Sequence, residues 1–177
     1  MHAGAFINLL LVEGHAEEAL ERGQKMLPHA IDVLTPSTDG VRDAWPATLQ
    51  AALQSGRLDE ARGVLDLLAS HPAGHIPPYL EAQLARGRAL TNAAAGEHES
   101  VESDLQLAIE RFRSLGYPYW LAVAQTDLAE WLIGQRRGEE AEGTIEEATA
   151  ALTALGAKPA LDRAEGLQRV SRVTAET

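Results

Sequence analysis

In residues 101–115 the apolar side chains fall at Val101, Leu105, Ala108, Phe112 and Leu115, a 4, 3, 4, 3 spacing. Steps of three and four place side chains on one face of an α-helix, so this stretch predicts a helix with a single apolar stripe. Forty residues later Ala141, Ile145, Ala148, Leu152 and Leu155 repeat the spacing position for position. The endings also repeat, Leu115-Gly116 with Pro118 behind it and Leu155-Gly156 with Pro159. A helix-length unit recurring at a fixed long period predicts a repeat array.

The same pattern runs through the rest of the chain. Met1 to Val12 reads as a helix with Phe6, Ile7, Leu9 and Leu10 near one side. No capping residue precedes it, which is expected of a piece excised from a longer protein. Gly14 breaks it, and a second helix starting at Ala16 carries Ala19, Gly23, Met26, Ala30 and Val33. Pro28 is expected to kink or end this helix, because proline lacks the N–H donor and crowds the preceding turn. Thr35 to Gly40 reads as a connector. The next unit places Trp45, Leu49 and Ala52 on its first helix and Ala61, Leu65 and Leu68 on its second, with Gly56 between them. His71 to Pro78 holds three prolines and a glycine and is predicted to be irregular. A third unit starts near Tyr79 with Leu80, Leu84 and Leu90 facing inward and breaks near Gly96. A fourth opens at Pro118 with Trp120, Ala124, Leu128, Trp131 and Leu132 on one side and breaks between Gly134 and Gly138.

Aligning second helices on Ala19, Ala61, Val101 and Ala141 gives intervals of 42, 40 and 40, with the first helices ending near Gly14, Gly56, Gly96 and Arg136. The expected units are residues 1–36, 37–76, 77–116 and 117–157 of a single domain, 1–177. A C-terminal capping helix over 159–172 follows, covering the last unit with Leu161, Ala164, Leu167 and Val170. Asp162, Arg163, Arg169 and Arg172 are placed on its wet side.

Composition narrows the function classes. With 26 acidic against 15 basic residues the formal charge is −11, so the surface repels phosphate backbones and direct nucleic-acid binding is not expected. There is no cysteine, which excludes disulfides and thiolate chemistry and fits a cytoplasmic protein. No stretch approaches a membrane span, and the apolar run Ala5 to Val12 lacks the basic flank and cleavage site of a secretory signal. Lys25 and Lys158 are the only lysines among the 15 basic residues, and alanine is abundant, a bias expected of a GC-rich bacterial genome.

The segments Gly14-His15-Ala16-Glu17-Glu18-Ala19, Gly56-Arg57-Leu58-Asp59-Glu60-Ala61 and Arg137-Gly138-Glu139-Glu140-Ala141 resemble the turn and second-helix start of tetratricopeptide (TPR) repeats. The period of about 40 exceeds the standard 34. It is similar to the longer TPR-like units that follow the ATPase modules of bacterial signalling proteins, including LuxR-type regulators and fused nucleotide cyclases. Val101 departs from the usual alanine, and Arg88 and Asn92 stand at apolar positions of the pattern. The resemblance implies an all-α, right-handed superhelical array of antiparallel helix hairpins. Its first helices would line a concave groove receiving a protein or peptide segment, or another domain of the parent chain. By register, the groove positions fall on Asn8, Gln50, Gln54, Gln83, Arg86, Thr126 and Glu130. The implied function is a non-catalytic interaction or regulatory module. The alternative is an effector sensor that takes a small molecule or peptide between hairpins.

Candidate chemistry is sparse. The carboxylate pairs Glu17-Glu18, Asp59-Glu60 and Glu139-Glu140 share a repeat position in a first helical turn, where the helix dipole favours negative charge by about 0.3–1 kcal/mol. Repetition there, and the absence of unlike environments, argue for a structural role over acid–base catalysis. Glu146-Glu147 is a further pair. His71 and His75 have metal-ligand spacing, but Pro72 and Gly74 interrupt the helix and no third ligand is near. No phosphate cradle, dinucleotide fingerprint or nucleophile elbow is present, so no enzyme activity, cofactor or metal is expected. Trp120 and Trp131, eleven residues apart, point roughly the same way. Trp120 is expected in the core, with a ligand cradle as the alternative, and for Trp131 both readings stay open. Gln83 and Arg86 share a face, and Arg86 is expected to anchor a partner carboxylate.

Overall fold

The computed structural model describes residues 3–34, 38–72 and 74–175. Among the described residues the fold is all-α: α1 (Ala3–Val12), α2 (Ala16–Leu34), α3 (Asp39–Gln54), α4 (Leu58–Ala69), α5 (Pro78–Ala95), α6 (Val101–Leu115), α7 (Pro118–Gly134), α8 (Gly138–Leu155) and α9 (Lys158–Ala175). Pro78 and Pro118 open α5 and α7, where the missing N–H has no intrahelical partner to lose. The irregular stretch expected after α4 lies between Ala69 and Pro78. In the connector at 35–40, residues 35–37 lie outside the described residues, while Asp39 and Gly40 already belong to α3.

The helix ends recur by one device. Gly14, Gly56, Gly96 and Arg136, the four breaks expected from the alignment, all have positive φ, at 83°, 67°, 77° and 61°. At each, the next residue's N–H reaches back five residues, as in His15 to Leu10, Arg57 to Ala52, Glu97 to Asn92 and Arg137 to Leu132. This left-handed cap gives partners to carbonyls that a helix end would otherwise orphan. Gly116 and Gly156 close α6 and α8 in the same way.

The chain gathers into two compact units, Met1–Glu97 and His98–Thr177. In the first, α3 packs against α1, α2, α4 and α5. Trp45 of α3 is fully buried, and its indole N–H donates to the Val64 carbonyl of α4 at 2.8 Å. The α2–α3 crossing is close: a Cβ at Gly23 would lie 2.0 Å from the Thr48 hydroxyl, so this stripe position admits only glycine. α2 runs on through Pro28 to Leu34, so the proline does not end it. Pro28 is exposed.

In the second unit α7 packs against α6, α8 and α9. Val101, Leu105, Ala108 and Phe112 of α6 and Ala141, Ile145, Ala148 and Leu152 of α8 are all buried, as their shared spacing predicts. The stripes stop one step early, because Leu115 and Leu155 are 37% and 46% exposed at the helix ends. α9 is longer than the expected 159–172. Its inward side is Ala164, packed with Ala122, Ala148 and Leu152, together with Ser171, whose hydroxyl donates to the Gly138 carbonyl at 3.1 Å. Leu161 and Leu167 are half-buried and Val170 is exposed, so Val170 does not cover the last unit. Arg163, expected on the wet side, turns to α7. Asp162 and Arg169 are exposed, and the Arg172 side chain lies outside the described residues.

Candidate functional site

The seven groove positions separate by depth. Asn8 is exposed on α1, its amide donating to the Gly4 carbonyl one turn back at 3.0 Å. On α3, Gln50 is half-buried and Gln54 exposed. Gln83 and Arg86 of α5 are 1% and 7% exposed. The continuous burial of Ala82 to Gly87 explains this, since a helix covered around its whole circumference has no wet face for polar side chains to reach. Arg86, expected from the sequence to reach out from a groove, is a buried side chain here.

Gln83 donates from Nε2 to the Tyr79 hydroxyl at 3.0 Å, and the Arg42 guanidinium lies 4.9 Å from the centre of the Tyr79 ring. Burial pushes the Tyr79 phenol up to about 12, with Gln83 and Arg42 pulling the other way and Asp43 adding to the rise. Tyr79 is thus hydrogen-bonded to Gln83 and faced by Arg42, with Arg86 and the exposed Asp43 acting on it electrostatically.

On α7 the residues Ala122 to Ala129 are all buried. Thr126 donates to the Ala122 carbonyl at 2.8 Å, a bond within its own helix. Gln125 donates to Glu147 of α8 at 2.6 Å. Asp127 and the exposed Glu130 both accept from Arg163 of α9, at 2.7 Å for Asp127. Burial lowers the Arg163 pKa, but the Asp127 and Glu130 carboxylates outweigh it and the net shift is upward. Glu130 is thus engaged by a residue of its own chain. Asp127 and Gln125, and the pairings that Arg163 and Tyr79 make, are not visible in the sequence. An i,i+1 neighbour of Thr126 and a partner 36 residues away leave no local pattern.

The other candidates resolve into packing. Glu17, Asp59 and Glu139 head first turns with their neighbours, as expected. Glu60 and Glu140 are held by Arg57 and Arg137 three residues earlier, and those hydrogen bonds lower both carboxyl pKa values. Arg137 also reaches Glu102 of α6. Trp120 stacks on Phe112 with ring centres 6.3 Å apart, while Trp131 meets His98 edge-on at 4.9 Å. Eleven residues separate the two tryptophans along α7 by about 16 Å, so each ring packs on its own neighbour. Both are half-buried. His71 is half-buried with Nδ1 unpartnered among the described residues, and His75 is exposed. No group of three or more His, Asp or Glu side chains among the described residues could hold a metal ion. Set beside known families and curated proteins, the chain matches no family model and no curated protein.

Proposed function

We propose that this chain is a non-catalytic interaction or regulatory module of a larger bacterial signalling protein, working in the cytoplasm. In this reading its hairpins are TPR-like and stack into a right-handed superhelix whose first helices receive a protein segment. The recurrence of the left-handed break at Gly14, Gly56, Gly96 and Arg136 carries the reading, because it marks one hairpin plan used repeatedly. Polar side chains inside the first helices serve packing and the exposed Glu130 is engaged by Arg163, so recognition falls to the other polar positions at the surface, Asn8, Gln50 and Gln54. Such side chains set register while apolar neighbours supply affinity.

The test is a photo-crosslinking amino acid at Gln54 of the full parent protein, with the exposed Glu146 of α8 as control. The expected result is a crosslink from position 54 to one defined protein segment and none from position 146. Equal labelling from both sites would overturn the assignment, and tight binding of a small metabolite without a protein crosslink would replace it by an effector sensor.

A further inference from the structure

The second helices of the first two hairpins leave an open channel of about 400 Å³ between them. Gln24 and Pro28 of α2 form one wall, and Asp59, Gly63, Val64 and Leu67 of α4 the other. Three features distinguish it from an ordinary interhelical crease. Pro28 has no N–H, so the Gln24 carbonyl, four residues earlier, lacks its regular helical donor. The rest of the wall is largely apolar, with Val64 and Leu67 opposite the proline ring. The second feature is a notch at Gly63. A Cβ built there meets nothing within 4 Å, and the residue lies mid-helix without a positive φ. Glycine weakens a helix interior relative to alanine, and here neither backbone geometry nor close packing inside the chain requires it.

The third feature is charge. At the α4 N-terminal end the Asp59 carboxylate is 96% exposed, with Arg62 3.9 Å away and itself bonded to Glu97 at 2.8 Å. Glu60 is held by Arg57, on which Glu17 and Glu21 also act electrostatically. Five carboxylates therefore surround two arginines at this end, in a chain of net charge −11.

We propose that this channel receives an arginine side chain from a partner protein segment. The methylene stem lies along Pro28, Val64 and Leu67, as long cationic side chains do on apolar surface. The guanidinium, with its planar fork of donors, meets the exposed Asp59 carboxylate at the rim through two parallel hydrogen bonds, which a compact ammonium does less well. The acidic rim steers the cation in. The channel belongs to second helices, so it stands apart from the first-helix surface around Gln54 and does not depend on it.

A labelled amphipathic peptide of alanine and leucine with one central arginine is the probe, beside a twin carrying neutral citrulline in its place. The arginine peptide is expected to bind saturably, and the citrulline twin to bind at least about tenfold more weakly, the loss of one charged hydrogen-bonded contact. Gly63→Leu fills the notch without changing charge and should weaken the arginine peptide similarly. Because leucine is the better helix former, the melting temperature should hold or rise, separating lost binding from lost fold. Asp59→Asn should weaken binding in the same direction. Equal binding of the twin, binding unchanged in Gly63→Leu, or no saturable binding would each overturn the proposal. Crosslinking from Gln54 stands or falls separately.

Discussion

The Arg163 guanidinium of α9 donates to the Asp127 carboxylate of α7 across 2.7 Å, and the Asp127 side chain is 1% exposed while that of Arg163 is 40% exposed. A charge that deep is tolerated because its partner is bonded to it. Removing one member of a buried pair costs about 3–5 kcal/mol, largely by stranding the other. With Arg163 still reached by water, Arg163→Met is expected at or below the low end of that range, about 2–3 kcal/mol, read from urea unfolding. Adding Asp127→Asn should recover part of this, since the stranded charge is gone. A loss below about 0.5 kcal/mol, the usual range for surface changes, would mean that the pair does not hold α9 in place.

Arg136 occupies a conformation that its three counterparts fill with glycine. For a side-chain-bearing residue the left-handed region costs about 1–2 kcal/mol. Arg136→Gly is therefore expected to raise stability by about 0.5–1 kcal/mol, after the added chain entropy of glycine is subtracted. Gly56→Ala should lower it by about 1 kcal/mol for the same reason. Opposite shifts in thermal midpoint check the pair, and a destabilised Arg136→Gly would show that the arginine side chain contributes more than its backbone costs.

The helices and their ends were legible because they follow from local rules. A 4, 3, 4, 3 spacing fixes which side of α6 and α8 is buried, and Gly14, Gly56 and Gly96 announce their turns. What stayed hidden depends on how many neighbours a helix has. α5 and α7 are covered around their circumference, so Gln83, Arg86 and Thr126, polar by type and assigned to a groove, lie inside. Arg163 pairs 36 residues away, and the Gly23 contact with Thr48 joins two different helices. None of these relations has a period, and each needs the packed chain to be visible.

Phe112 tests the stripe directly. It is fully buried and stacked on Trp120, and Leu152 is equally buried at the matching place in α8. Phe112→Ala is expected to cost about 3–5 kcal/mol through lost transfer energy and the cavity left behind. A measured loss under about 1 kcal/mol would contradict the position's role as core.

Tyr79 gives the first unit an alkaline limit. Its phenol, 6% exposed, has a folded pKa of about 12 against an ordinary value near 10, chiefly because burial disfavours the anion. The folded chain binds that proton more tightly than the unfolded chain. Stability is therefore whole below about pH 10 and falls as pH rises from there through about 12, by about 2–3 kcal/mol in all. Urea midpoints measured across this range should show the fall, and Tyr79→Phe should remove this component of it. A profile that is the same in both proteins would place the alkaline loss elsewhere.

Arg86 changes what a charge reversal reports. From sequence, Arg86→Glu is a surface change that abolishes partner capture and leaves the fold intact. At 7% exposure, on a stretch of α5 buried from Ala82 to Gly87, a carboxylate there is surrounded by packed side chains. Burial of a mismatched charge costs several kcal/mol, so Arg86→Glu is expected to lose on the order of 3 kcal/mol of stability. The milder Arg86→Met keeps the stem's packing and should lose less, because it removes the cation without adding an anion. Both are read by circular dichroism melts, with the exposed Gln54→Glu as the comparison that should melt like the wild type. If Arg86→Glu melted unchanged as well, the side chain would have to swing out to water, and Arg86 would again qualify as a groove residue able to meet a partner's carboxylate.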